Sequence, residues 1–166
     1  FETADTYGDS YSIVSSFIPV DKILIRKVRS WKTETSYRDR IFPMYHNASI
    51  REMSYVAPSY RWGASVYYPE ETAFAMQHGF ECVEFPFNVL DRRHGFAFGN
   101  LGTIARSPLL RGRLSGMAEH ALRFSFFSGT DTALLGISGE RDLDCALECL
   151  EKGPIDYESI IDPRKW

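Results

Sequence analysis

The sequence predicts an α+β domain that contains short strands and three helices, and three patterns carry this prediction. Apolar alternation at 81–85 and a β-branched run at 22–26 are typical of strands. Leucines at helical spacing before Gly153-Pro154 are typical of a helix with a strong stop signal. With 166 residues, 44% hydrophobic and 25% charged, the chain has the size and composition of a single folded domain over 1–166.

Four segments predict strands, because each combines apolar or β-branched residues with turn residues at one end. They are 22–26, 81–85, 132–138 and 157–161. In the second segment the alternation would place Val83 and Phe85 on one face of a sheet.

Three segments predict helices from their apolar spacing and their end signals. They are Pro69 to Gly79, a segment that begins at Ser115, and Asp142 to Leu150. The first begins with a proline and two glutamates, which suit the first turn and the positive end of a helix. The stretch 92–113 is rich in glycine and arginine, and it predicts an exposed loop.

Charge and composition exclude several classes of protein. The net charge of −3 is too acidic for a dedicated nucleic-acid binder, and no apolar run reaches the ~20 residues of a membrane-spanning helix. The four histidines fall on different predicted elements, and the three cysteines do not form the two pairs of a zinc site. No metal site is therefore predicted.

The stretch 22–51 is locally basic and contains the aromatic residues Trp31, Tyr37 and Tyr45. Two interpretations remain open. The stretch could be an ordinary solvated face, or it could be a surface that binds an anionic or protein partner.

Dispersed blocks of residues resemble a known family. They are Tyr60-Arg61-Trp62, Pro69-Glu70-Glu71, His78-Gly79-Phe80, the run 132–138 with the helix after it, and the opening stretch 1–9 with Ile18-Pro19. Together they are similar to the bacterial-toxin mono-ADP-ribosyltransferases of the cholera and pertussis type.

This resemblance implies an ADP-ribosyltransferase-like split β-sheet core with peripheral helices. It implies a secreted toxin, or an effector delivered into a host cell, that uses NAD as substrate and transfers ADP-ribose to a host protein. Arg61 and Tyr60 would bind the nucleotide, and Ser138 would brace the cleft. Alternatives from the residues alone are a surface arginine at 61 and a helix N-cap at Ser138.

The chain departs from the family in two ways. The catalytic glutamate expected before Ile18-Pro19 is absent, and Asp9 is the only acid close by, so a degenerate, non-catalytic relative is an equal expectation. The blocks also occur in a permuted order that joining Trp166 to Phe1 would restore. The rival class is a secreted effector without enzymatic activity that binds a host partner through 22–51.

Overall fold

Parallel strands, connected by helices and turns, form the framework of this computed structural model. The structure describes residues 1–30, 41–55 and 61–156. None of the helices in these ranges has the length and apolar character of a membrane-spanning segment.

The chain divides into two compact units. The first consists of Phe1–Phe85 and His94–Thr103, and the second of Pro86–Arg93 and Ile104–Trp166. The sequence predicts one domain over 1–166. The division into two units does not test whether they fold independently, so this stays a prediction.

The first unit is built on five parallel strands that pair in chain order. They are β1 (Glu2–Ala4), β2 (Leu24–Val28), β3 (Ile41–Tyr45), β4 (Gly63–Ser65) and β5 (Cys82–Pro86), whose last residue belongs to the second unit. The register places Ala4 beside Lys27 and Ser65 beside Glu84. Because the strands share one direction, their carboxyl ends lie at the same edge.

Helices and turns follow these strands. They are α1 (Ser10–Phe17), α2 (Ile50–Met53), α3 (Pro69–Gln77) and a 3₁₀ turn at Gly95–Ala97. Ser49 and Glu52 form a capping box at the start of α2. Glu71 accepts hydrogen bonds from the backbone N–H groups of Tyr67 and Tyr68, which fixes the start of α3.

The second unit contains two further parallel strands and two helices. They are β6 (Gly102–Arg106), whose first two residues belong to the first unit, β7 (Thr132–Ala133), α4 (Ala118–Phe127), preceded by a 3₁₀ turn at Ser115–Met117, and α5 (Glu140–Glu151). The Arg123 guanidinium ties α4 to the end of α5 by donating to the carbonyl oxygens of Gly153 and Pro154, each over 2.9 Å.

Close packing shapes the core of the first unit. Its fully buried side chains include Leu24, Val28, Met44, Val66, Val83 and Phe85. A Cβ atom on Gly63 would lie 2.8 Å from Cys82 Sγ and 2.8 Å from Phe42 Cε1, so β4 tolerates no side chain there without a shift of its neighbours.

The split β-sheet core predicted with the toxin family is wrong, because the strands of each unit pair in parallel. The predicted strands at 22–26 and 81–85 and all three helices are confirmed, with small shifts at their ends. The run 132–138 forms only a two-residue strand, and the predicted loop 92–113 contains β6. The candidate strand 157–161 lies outside the described residues.

Candidate active site

A buried lysine lies between two carboxylates in the first unit. The Nζ atom of Lys27 is 2.9 Å from Oε1 of Glu2 and 3.2 Å from Oε1 of Glu84. Lys27 is 4% exposed, and Glu84 is completely buried. The hydroxyl of Ser65 donates a hydrogen bond to the same Glu84 oxygen over 3.2 Å. These four residues form what we call the lysine cluster.

The lysine cluster holds a permanent positive charge away from water. Burial lowers the pKa of Lys27, but the negative charges of Glu84 and Glu2 outweigh it, so the pKa lies above its ordinary value. An unpaired ammonium in this position would be strongly destabilising. The two carboxylates therefore account for the presence of a charged lysine in the interior.

The parallel strands place part of the lysine cluster at their carboxyl ends. Lys27 is the penultimate residue of β2 and Ser65 is the last residue of β4, whereas Glu84 is the middle residue of β5 and Glu2 is the first residue of β1. In open and closed parallel sheets alike, active sites form at this edge, because the loops after the strands meet there.

Tyr7, which follows β1, lies beside the lysine cluster, and His46, which follows β3, lies beside Tyr7. The Nζ atom of Lys27 is 5.8 Å from the centre of the Tyr7 ring. The rings of Tyr7 and His46 are 6.1 Å apart and nearly perpendicular. Backbone hydrogen bonds from Tyr7 to the Ala4 carbonyl and from His46 to the Val28 carbonyl fix both residues to the strand ends. Tyr7 is 50% exposed and so remains accessible.

This arrangement suits proton transfer to or from an oxygen atom. A phenol that gives up its proton becomes negatively charged, and the ammonium of Lys27 stabilises that charge. The imidazole of His46 adds a second polar ring beside the phenol, and general acid–base catalysis most often uses such groups.

The second unit contains a cavity of ≈ 490 Å³. Loops after β6 and β7 and the beginning of α5 surround it. Its lining combines apolar and polar residues, among them Ser107, Arg111, Leu122, Leu135, Ile137 and Ser138. Its volume lies within the range of small-molecule sites in proteins.

Two of the residues predicted for the transferase site belong to the first unit. Asp9 is exposed at the start of α1 and makes no side-chain capping hydrogen bond. Arg61 is exposed, and its Nε atom donates to Glu81 over 2.6 Å, as the surface alternative expected. The catalytic role of Asp9 and the nucleotide-binding role of Arg61 stay predictions.

Ser138 belongs to the second unit, where it lines the cavity. Its backbone N–H donates to Oδ2 of Asp142 over 2.9 Å. The residue that caps α5 is Gly139, so the N-cap alternative for Ser138 is wrong. Tyr60, the other residue predicted to bind the nucleotide, lies outside the described residues. So does Trp166, whose joining to Phe1 would restore the order of the blocks.

Several residues of the basic stretch 22–51 are paired or buried in the part of the chain that the structure describes, and Trp31 and Tyr37 lie outside the described residues. Lys27 is buried in the lysine cluster, and Arg26 pairs with Asp5 over 2.8 Å. Tyr45 is buried and donates its hydroxyl hydrogen to the carbonyl of Arg29. The pairing and burial of these residues therefore do not support the predicted effector surface.

Metal-binding and reactive-thiol chemistry find no support in the described part of the chain. No group of three or more His, Cys, Asp or Glu residues there is placed to hold a metal ion. Cys82, Cys145 and Cys149 are free thiols. Burial, with smaller contributions from the charges of Glu84 and Glu81, raises the pKa of Cys82 to about 12.

The lysine cluster was not predicted from the sequence, although a partial signal was present. Glu84 is the single charge of an otherwise apolar strand, and Lys27 follows Arg26 in a strand whose other residues are apolar. Charged residues are almost never fully buried unless they are paired. Two such strands of opposite charge therefore indicate a buried ion pair, but only after the strands are known to be buried.

Comparison with solved structures decides the fold. An aldo-keto reductase from Bacillus halodurans, solved in its holo form, matches 95% of this chain and 78% of its own, with a TM-score of 0.71 at 16% identity. The chain has the aldo-keto reductase fold. A thermostable aldo-keto reductase in complex with the inhibitor epalrestat matches 90% of this chain and 76% of its own, with a TM-score of 0.62 at 16% identity. No sequence family and no curated protein match the chain.

The aldo-keto reductase fold overturns the toxin resemblance. The predicted ADP-ribosyltransferase function is wrong, and so are the non-catalytic toxin relative and the host-binding effector. Secretion or delivery into a host cell was predicted from this resemblance and is wrong with it. The error arose because the matching blocks, such as Tyr-Arg and Ile-Pro, are only a few residues long, and strand–turn–helix units of unrelated folds contain them equally well.

Proposed function

We propose that the protein is an oxidoreductase that interconverts a carbonyl compound and its alcohol with a nicotinamide nucleotide as cofactor. One observation carries the proposal: Tyr7, His46 and the buried Lys27 lie together at the carboxyl ends of parallel strands in an aldo-keto reductase fold. The solved relatives are named as reductases of aldehydes and ketones, which is the same class of reaction.

Reduction of a carbonyl group requires a hydride at carbon and a proton at oxygen. The nicotinamide nucleotide, when bound, supplies the hydride, which no amino-acid side chain can supply. Tyr7 supplies the proton from its hydroxyl group, and Lys27 stabilises the negative charge left on the phenol oxygen. Glu2 holds Lys27 in place, and His46 orients the ring of Tyr7. In the reverse direction Tyr7 accepts the proton of the alcohol.

The cavity of the second unit fits one part of such a nucleotide. Leu135 and Ile137 offer apolar walls for a planar base, and the guanidinium of Arg111 suits a phosphate group. Ser138 and the first turn of the 12-residue helix α5 add polar hydrogen-bond groups. In this role Ser138 keeps its predicted contact with a nicotinamide nucleotide, now as a redox cofactor instead of a donor of ADP-ribose.

The test compares the parent protein with Tyr7→Phe. Reduced nicotinamide nucleotide is mixed with a panel of aldehydes and ketones, and its absorbance is followed. We expect turnover by the parent and a loss of about 100-fold or more in kcat/KM for Tyr7→Phe, because general acid catalysis contributes about that much. Tyr68→Phe is the matched control, since Tyr68 is also an exposed tyrosine, and its backbone N–H and carbonyl groups form hydrogen bonds at the start of α3.

Two outcomes would refute the proposal. One is a folded parent protein that binds no nicotinamide nucleotide and turns over no carbonyl compound. The other is a parent that is active while Tyr7→Phe and Tyr68→Phe remain equally active, since the proton would then come from elsewhere. Arg111→Ala, tested by nucleotide titration, should weaken binding without changing the fold.

A further inference from the structure

The cavity of the second unit is lined by one charge of each sign. Among the described residues that line it, Arg111 is the only cation and Asp142 is the only carboxylate. Arg111 belongs to the loop after β6, whereas Asp142 lies in the first turn of α5. Because the two charges come from different segments of the unit, they can contact different parts of one ligand.

The carboxylate of Asp142 is held beside the part of the wall that fits a base. Its Oδ2 atom accepts a hydrogen bond from the backbone N–H of Ser138 over 2.9 Å. Ser138 directly follows Ile137, one of the two apolar residues proposed to contact the base. A carboxylate accepts about four hydrogen bonds, so Asp142, which is exposed, keeps accepting capacity for a ligand in the cavity.

We propose that the cavity selects NADH over NADPH and that Asp142 is the residue that makes this selection. The selection rests on the proposed function, because it names which of the two nicotinamide nucleotides the cavity takes. The base in the cavity is then the adenine, since the nicotinamide would react at Tyr7, which belongs to the first unit. The two nucleotides differ only in a phosphate on the 2′-hydroxyl of the adenosine ribose, so one group beside that hydroxyl can distinguish them.

A ribose hydroxyl and a phosphate place opposite demands on the group beside them. The 2′-hydroxyl of NADH donates a hydrogen bond that the Asp142 carboxylate can accept. The 2′-phosphate of NADPH carries nearly two negative charges, and the same carboxylate repels them. Arg111 does not distinguish the nucleotides, because its guanidinium is proposed to hold a phosphate that both of them contain.

The start of α5 offers the additional phosphate no compensating attraction. The positive end of a helix attracts phosphate groups, but the two acids in this first turn, Glu140 and Asp142, offset it. The cation between them, Arg141, is exposed and does not belong to the described lining of the cavity. This end of the cavity therefore suits an uncharged hydroxyl group.

The experiment measures the dissociation constants of NADH and NADPH by titration calorimetry. We expect the parent to bind NADH at least about tenfold more tightly, because repulsion between a carboxylate and a doubly charged phosphate a few ångströms apart contributes roughly that factor even in water. Asp142→Asn retains the size of the side chain and an oxygen that can accept from Ser138, and it should reduce the ratio to about threefold or less.

Asp144→Asn is the matched control. It makes the same chemical change on the same helix, but Asp144 is exposed and does not belong to the described lining of the cavity. It should keep the ratio of the parent. A measurement on the parent alone provides a second test: the preference for NADH should shrink as salt concentration rises, because salt screens the repulsion.

The outcomes separate this selection from the proposed function. If the folded parent binds neither nucleotide, the proposed function fails and the selection fails with it. If the parent binds NADPH as tightly as NADH, or more tightly, the proposed function stands and the selection is overturned. A preference for NADH that Asp142→Asn leaves intact overturns the role of Asp142. If Asp142→Asn folds poorly, a preference of the parent that falls with salt supports the proposal, and one that does not change with salt overturns it.

Discussion

Replacement of Lys27 by methionine should destabilise the protein strongly, because it removes the positive charge that compensates the buried Glu84 carboxylate. At an effective dielectric constant of about 20, a contact near 3 Å contributes roughly 5 kcal/mol of attraction, against which the desolvation of both ions counts. Removal of one partner from a buried pair costs about 3–5 kcal/mol. The two contacts of Lys27, at 2.9 and 3.2 Å, place Lys27→Met in this range. That is a large part of the ~5–15 kcal/mol that stabilises a typical domain.

The assay is urea unfolding at neutral pH, with the double variant Lys27→Met/Glu84→Gln as control. The double variant should recover at least ~1 kcal/mol of the loss, because it removes the negative charge that Lys27→Met no longer compensates. It should not recover activity. The deficit of Lys27→Met should also shrink as pH falls, because the buried Glu84 carboxylate costs free energy only while it is ionised.

Two results would refute this reasoning. If Lys27→Met is as stable as the parent, Lys27 does not compensate a buried charge. If the double variant is no more stable than Lys27→Met, the loss comes from packing around the lysine side chain and not from the Glu84 carboxylate.

Two further predictions concern the core. Cys82, with its pKa of about 12, should resist a thiol reagent at neutral pH in the folded protein, whereas the half-buried Cys145 should react first. Labelling is followed by mass spectrometry. Equal labelling rates for the two thiols would contradict the burial of Cys82. Gly63→Ala should lose about 1–3 kcal/mol in thermal or urea unfolding, because its Cβ would lie 2.8 to 2.9 Å from three side chains. Gly116→Ala, whose Cβ meets nothing within 4 Å, should stay within about 0.5 kcal/mol of the parent, and equal losses in both would exclude overpacking as the cause.

The sequence alone predicted the helices α3, α4 and α5, because their signals are local, whereas α1 and α2 were not predicted. Pro69 and the two glutamates after it predict the start of α3, and Gly79, with a positive φ of 76°, follows its end. The apolar spacing and the stop at 152–154 predict α5. Each of these signals acts within about one helical turn, so no knowledge of distant residues is needed.

Several strands escaped prediction for a physical reason. Strand β4 consists of Gly63, Ala64 and Ser65, which have no strand preference of their own. It forms because neighbouring strands on both sides pair with it and because small residues fit the crowded core. Strand pairing also decides whether a sheet is parallel, and the split-sheet prediction failed on that point.

Only the tertiary structure decided the site. The sequence shows Tyr7, Lys27 and Glu84 as three unrelated residues, and the predicted basic face even placed Lys27 in solvent. Parallel pairing of the strands brings their carboxyl ends to one edge and buries the lysine between two acids. Contacts across 57 residues depend on the order and direction of strands, which backbone hydrogen bonds between distant segments determine and which no local pattern encodes.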